Sequence, residues 1–98
     1  MDFISMRQKL FDMAAQHKPI EGCIAMRVGA LGTIYWDGTG AVPVFHEEEC
    51  EVAAVITTDA LSFERLVTRV SKVKPLFLLG KLKVQGNMQL AMRAAEMF

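Results

Sequence analysis

Cys50 stands four residues after His46, with Glu47, Glu48 and Glu49 between them. Those donor types suit a divalent cation. Four-residue spacing brings two ligands together only on a helix, and this segment reads as a loop entering a strand, so no metal site is expected. His17 follows a helical stretch beside Lys18 and reads as a solvated residue at a helix C-terminus. Ser5, Ser62 and Ser71 have no evident histidine partner, and no Gly-x-Ser-x-Gly element occurs, so nucleophilic catalysis is not expected. Gly38 and Gly40 lead into a strand and read as a turn. Gly80-Lys81 lacks the earlier glycine and the following Ser or Thr of a phosphate-binding loop. The chain therefore reads as a non-enzyme without a cofactor.

The residues that remain are apolar, and their chemistry is the exclusion of water. Two stretches concentrate them, Leu76–Leu79 and Met88–Phe98. In the second, Gln89, Arg93 and Glu96 fall at i, i+4 and i+7 and form one narrow polar stripe on a helix. A helix resting on a sheet needs an apolar stripe only about 100° wide. This one is apolar around most of its circumference and predicts contact with a second apolar body. Three of the seven methionines lie here, and flexible thioethers suit a surface that adapts to variable shapes. A tightly packed core helix or a homodimer interface would give the same pattern.

Charge is segregated along the chain. Residues 1–36 carry +1, residues 37–64 carry −7 with no basic residue, and residues 65–98 carry +6. A basic face able to meet something anionic is one reading; mutual neutralisation of segments adjacent in space is the other.

Positioning these groups needs an ordered set of elements. Asp2–Gln16 reads as a helix with Phe3, Met6, Leu10, Met13 and Ala14 on one face, ended by Pro19. Alternation around Ile24, Met26 and Val28, then Ile34 and Trp36, predicts an antiparallel meander continuing through Ala41–Phe45. Glu51–Ile56 is apolar on both faces from Val52 onward and reads as a central strand covered on both sides. Asp59 starts a helix whose stripe is Phe63, Leu66, Val67 and Val70. Lys81–Gln85 alternates as a last strand, Gly86 ends it, and Asn87 caps the terminal helix. The expected order is a helix, four antiparallel strands, a helical crossover, a fifth strand and a terminal helix.

The chain has 98 residues and a mass of 10.9 kDa, with 11 basic and 11 acidic side chains. That length predicts one domain over residues 1–98. With glycine included, apolar residues reach about 58% of the chain against roughly 45–50% for an average protein. The excess excludes disorder and points to apolar surface that the chain does not fill by itself. No apolar run approaches the roughly 20 residues of a membrane span. The start lacks a secretory pattern, the end lacks a peroxisomal Ser-Lys-Leu signal, and two cysteines are too few for a disulfide framework. A soluble cytoplasmic protein is expected. Phe77 stands alone among the basic residues of the last third, and the pI is near 6.7, so nucleic acid is not an expected partner.

The stretch Leu76–Arg93 carries an apolar run, Gly80-Lys81-Leu82-Lys83-Val84, a polar residue, Gly86-Asn87 and a Met- and Leu-rich helix. It resembles the closing signature of the sterol carrier protein type-two family. Gly32–Gly38 and the segment from Cys50 through Asp59 to Leu66 resemble its earlier elements, and together the likeness covers roughly residues 22–98. The resemblance implies an α+β fold, a five-stranded mostly antiparallel sheet with helices packed on one face and an apolar tunnel between them. It implies non-catalytic binding of a fatty acid, a fatty acyl-CoA or a sterol-like lipid. The tunnel residues it implies here are Leu76, Phe77, Leu79, Met88, Ala91 and Met92, with Phe63 and Leu66 added from helix position. Lys72, Lys74, Lys81, Lys83 and Arg93 are the cations available to a ligand headgroup or an anionic membrane. Against the family's pattern the first hairpin is compact and only one helix precedes it. A smaller tunnel, one open at an end, and one closed by a second subunit all fit that shortened frame.

Overall fold

The computed structural model describes residues 1–98. Helix α1 (Phe3–Ala15) begins where the Asp2 carboxylate accepts the Ser5 N–H at 2.8 Å. Met6, Leu10, Met13 and Ala14 are its buried face, as their spacing requires. Strands β1 (Cys23–Val28) and β2 (Gly32–Asp37) form a hairpin in which Ile24 faces Trp36 and Met26 faces Ile34. Strand β3 (Val44–His46) pairs with the outer side of β2, and Trp36 lies beside Phe45.

Strand β4 (Ala54–Thr58) departs from the expected meander. It lies beside β1 on the side away from β2 and runs parallel to it, with Ile24 opposite Ala54 and Ile56 opposite Met26. Strand β5 (Leu82–Gly86) pairs antiparallel with β4 and completes the order β3-β2-β1-β4-β5. The sheet is thus mostly antiparallel with one parallel pair. The connection from His46 to Ala54 carries the chain past two strands before it re-enters, and a strand that re-enters this way can take the direction of β1. Strand β4 is also covered on one face only. Ala54, Ile56 and Thr58 are buried, whereas Val55 and Thr57 on the other face are half-buried. The middle strand is β1.

All four helices contribute to one core cluster that contains the inward side chains of β1, β2, β4 and β5. Helix α2 (Ala60–Val67) is capped by Asp59, which accepts the Ser62 N–H at 2.8 Å and its hydroxyl at 2.9 Å. It ends earlier than its stripe suggests. Arg69 takes a left-handed φ of 63°, so Val70 leaves the apolar face and is exposed. The apolar cluster Leu76–Leu79 is largely a short helix, α3 (Val73–Leu78), with Pro75 in its first turn, where a missing N–H costs little. Helix α4 (Met88–Ala95) starts at Asn87, whose side-chain oxygen accepts the Leu90 N–H at 3.1 Å. Gly86 precedes it with φ 89°, and a Cβ there would sit 2.5 Å from the Ala53 carbonyl oxygen. Only glycine suits that turn.

Candidate functional site

Between α3, α4 and the β1-β4-β5 part of the sheet lies a partly open cavity of about 450 Å³. Its floor consists of inward strand residues, Met26 of β1, Ile56 of β4, and Leu82 and Val84 of β5. These follow the alternation that puts every second side chain on the inner face. One wall is α3, through Val73, Lys74 and Phe77. The other is α4 and the residues after it, through Met88, Ala91, Met92, Ala95, Glu96 and Phe98. Exposure rises steadily from floor to rim. Met26 is 0% exposed and Ile56 3%, while Phe77 and Met88 are near one half and Met92 reaches 61%.

The cavity exists because the covering elements are short. Helix α3 has six residues and α4 has eight, about 9 and 12 Å of helix. Each rests its own buried residues on the sheet, Leu76 from α3 and Leu90, Ala91 and Ala94 from α4. The space between them is left to the rim. Helix α4 is held from behind. Arg93 donates its Nε–H to the Ile20 carbonyl at 2.7 Å, and a Cβ on Gly22 would press within 2.9 Å of both Leu90 methyls. That close approach fixes how far α4 stands from the floor.

Among the residues implied by the family resemblance, Phe77, Met88, Ala91 and Met92 meet in this cavity. Leu76 does not line it, because the phase of α3 turns it into the core, where it is 8% exposed. Leu79 caps the end of α3 and faces solvent at 72% exposure. Phe63 and Leu66 lie fully buried on α2, inside the packed core. Lys74 lines the cavity, whereas Lys72, Lys81 and Lys83 are exposed outside it. Arg93 is half-buried and spent on the Ile20 carbonyl. Sequence reasoning passed over Met26, Ile56, Val73, Leu82, Val84, Ala95, Glu96 and Phe98. The strand members carried a signal, since inward positions of β1, β4 and β5 near α4 can only face core or cavity.

Lys74 and Glu96 are the only ionisable side chains in the lining. Other titratable groups cluster on the opposite sheet face. There the Asp37 carboxyl is held below its usual range, first by the Thr39 hydroxyl and N–H, which donate to it at 2.6 and 3.0 Å. Burial, and then Asp37, push the Cys23 thiol up. His46 Nε2 is 3.9 Å from Asp37. No three His, Cys, Asp or Glu side chains stand together as a metal site would need, and no helix is long and apolar enough to cross a membrane.

Solved structures share this fold. The palmitated SCP2L2 of Aedes aegypti superposes with a TM-score of 0.78 at 14% identity, over 98% of this chain and 93% of that one. The sterol carrier protein domain 2 of Helicoverpa armigera gives 0.70 at 20% identity, over 96% and 82%. The inverting sec-alkylsulfatase Pisa1 from a Pseudomonas species gives 0.66 at 9% identity, over 90% of this chain but 14% of that one. At these identities the likeness is one of fold. No curated protein matches the chain by sequence. The model of the SCP-2 sterol transfer family does match, over residues 5–98, and the chain belongs to that family.

Proposed function

We propose that this protein binds one hydrophobic ligand in the α3–α4 cavity and carries or presents it without altering it chemically. The observation that carries this reading is the cavity itself, about 450 Å³ with 11 hydrophobic residues among the 13 that line it. Its volume falls within the roughly 300–1,000 Å³ of small-molecule sites. A fatty acid, the acyl part of an acyl-CoA, or a sterol-like lipid would place its apolar body on Met26, Ile56 and Val84. Lys74 at the wall is placed to meet an anionic headgroup. The absence of Ser, Cys and His from the lining supports a binding role over catalysis.

The energetics fit a carrier. Burying ten methylenes stabilises a complex by roughly 8 kcal/mol before ordering costs, at about 0.8 kcal/mol each. That corresponds to micromolar affinity at best, weak enough for release. Native mass spectrometry of protein purified from cells, followed by titration with a fluorescent fatty acid, tests the proposal. One lipid adduct per chain, recovered chemically unchanged, and micromolar probe uptake are expected. An empty protein that takes up no probe overturns the reading. If that empty protein also has twice the chain mass in solution, a homodimeric interaction module replaces it.

A further inference from the structure

The second half of the α3–β5 connection is unusual for a surface the fold could have covered. Leu78 and Leu79 follow one another at the end of α3 and are each 72% exposed. Phe77 beside them is 47% exposed. Gly80 then turns the chain with φ 73° and has open space around its Cβ position. Single exposed leucines are ordinary, but a contiguous apolar tip marks a contact.

Lysines surround the tip. Lys72 precedes α3, Lys74 lies in its first turn and Lys81 follows the leucines, whereas Lys83, between the inward Leu82 and Val84, projects from the outer face of β5. All four are exposed. Since α3 is only about 9 Å long, Lys72 and Lys74 stand about one helix length before the leucines, and Lys81 comes two residues after Leu79. No carboxylate of the acidic middle forms an ion pair with them. The ion pairs in the structure are the N-terminus with Glu64 and His46 with Asp37, so no basic side chain after residue 64 forms one. Lys81 lends a positive field to Asp59 without reaching it. Arg69 and Arg93 instead donate to backbone carbonyls.

We infer that this corner docks on the surface of an anionic lipid bilayer, with Leu78 and Leu79 entering the headgroup layer and Lys72, Lys74 and Lys81 meeting its negative charge. The residue types favour lipid over protein. Protein interfaces are depleted of lysine and enriched in arginine and aromatic anchors, whereas lysines on flexible stems beside short apolar wedges suit a headgroup layer. Phe77 and Lys74 belong both to this corner and to the cavity wall, so docking would bring the cavity rim to the membrane. That last point rests on the reading of the cavity as a lipid site; the docking does not.

Flotation with vesicles of phosphatidylcholine, with and without phosphatidylserine, tests the inference. The protein floats with anionic vesicles at low salt, stays behind with neutral ones, and is released by high salt. Each lysine is worth roughly a fivefold change in partitioning, so a variant combining Lys72→Gln and Lys81→Gln falls about 25-fold. Replacing Leu78 and Leu79 with Asn weakens flotation about tenfold, taking less than full burial of each side chain. Both variants still take up the fluorescent fatty acid in free solution, which shows that they are folded. Equal binding to neutral and anionic vesicles, or variants that float like the parent, overturns the inference. A chain that ignores all vesicles but binds an acidic protein through Leu78 and Leu79 overturns it in favour of that partner. Vesicle binding without probe uptake keeps the docking and removes the cavity reading; probe uptake without vesicle binding does the reverse.

Discussion

The part of the sheet under α1 and the part under α3 and α4 follow the same alternation of inward residues on one face, yet they are closed by different means. On the α1 side a 13-residue helix, about 20 Å long, lies against β2 and β3. Phe45 is gripped there by Phe11 at 5.3 Å, by Trp36 at 5.8 Å and by the Arg7 guanidinium at 5.5 Å. Arg7 also donates to the Phe45 carbonyl at 3.2 Å. On the other side two short helices meet no aromatic cluster and leave about 450 Å³ unfilled. What decides between core and cavity is therefore the length and bulk of the covering layer. The strands alone do not decide it.

The largest effect should come from breaking the filled side. Trp36→Ala removes a fully buried ring and is expected to cost about 3–5 kcal/mol, read by chemical denaturation; Phe77→Ala, on the cavity rim, should cost under about 1 kcal/mol. If the two costs are equal, the contrast between the halves fails. Next, Val84→Phe puts a ring into the cavity from its floor. Acyl-probe affinity should fall at least about tenfold, some 1.4 kcal/mol, with little change in denaturation midpoint.

A smaller effect compares two helix caps. Asp2→Ala and Asn87→Ala each remove a side-chain acceptor from a helix start, at about 1 kcal/mol each. Only Asn87→Ala, on the helix that walls the cavity, should also weaken probe binding. The smallest effect concerns acid. Asp2, Asp37 and Asp59 are held below the usual carboxylate range, chiefly by hydrogen bonds from Ser5, Thr39 and Ser62 respectively. A depressed folded value means their stabilisation is present above the unfolded carboxylate range and is lost as pH falls through the folded values. Denaturation midpoints should be flat from neutral pH to about pH 5 and drop below about pH 4. Asp37→Asn should blunt that drop.

Much of the fold was legible because local chemistry fixed it. The stripes of α1 and α2, the caps Asp59 and Asn87, and the break at Gly86 are each decided within a few residues. The direction of β4 was not, since nothing in Ala54–Thr58 states whether its neighbour runs with it or against it. Site residues divide similarly. Met88, Ala91 and Met92 came from the family resemblance, while the thin polar stripe of α4 said only that the helix meets a second apolar body. In the run Leu76–Leu79 no polar residue marks the phase, so Leu76 in the core, Phe77 in the cavity wall and Leu79 in solvent look alike in sequence. Met26 and Ile56 were hidden for the opposite reason, because a cavity floor and a core position carry the same residue types.

The parallel pairing of β4 with β1 has a kinetic consequence. The hairpin of β1 and β2 joins neighbours in sequence, and α1 lies just before it. The other edge of β1 stays open until the chain from Ala54 onward arrives, because Ile24 pairs with Ala54. Long-range closure of this kind slows folding, since chain entropy is lost before contacts form. The half that holds the cavity is then assembled last. During synthesis, the middle strand of the future sheet waits as an unpaired edge, the state in which a folding chain is most exposed to association with another.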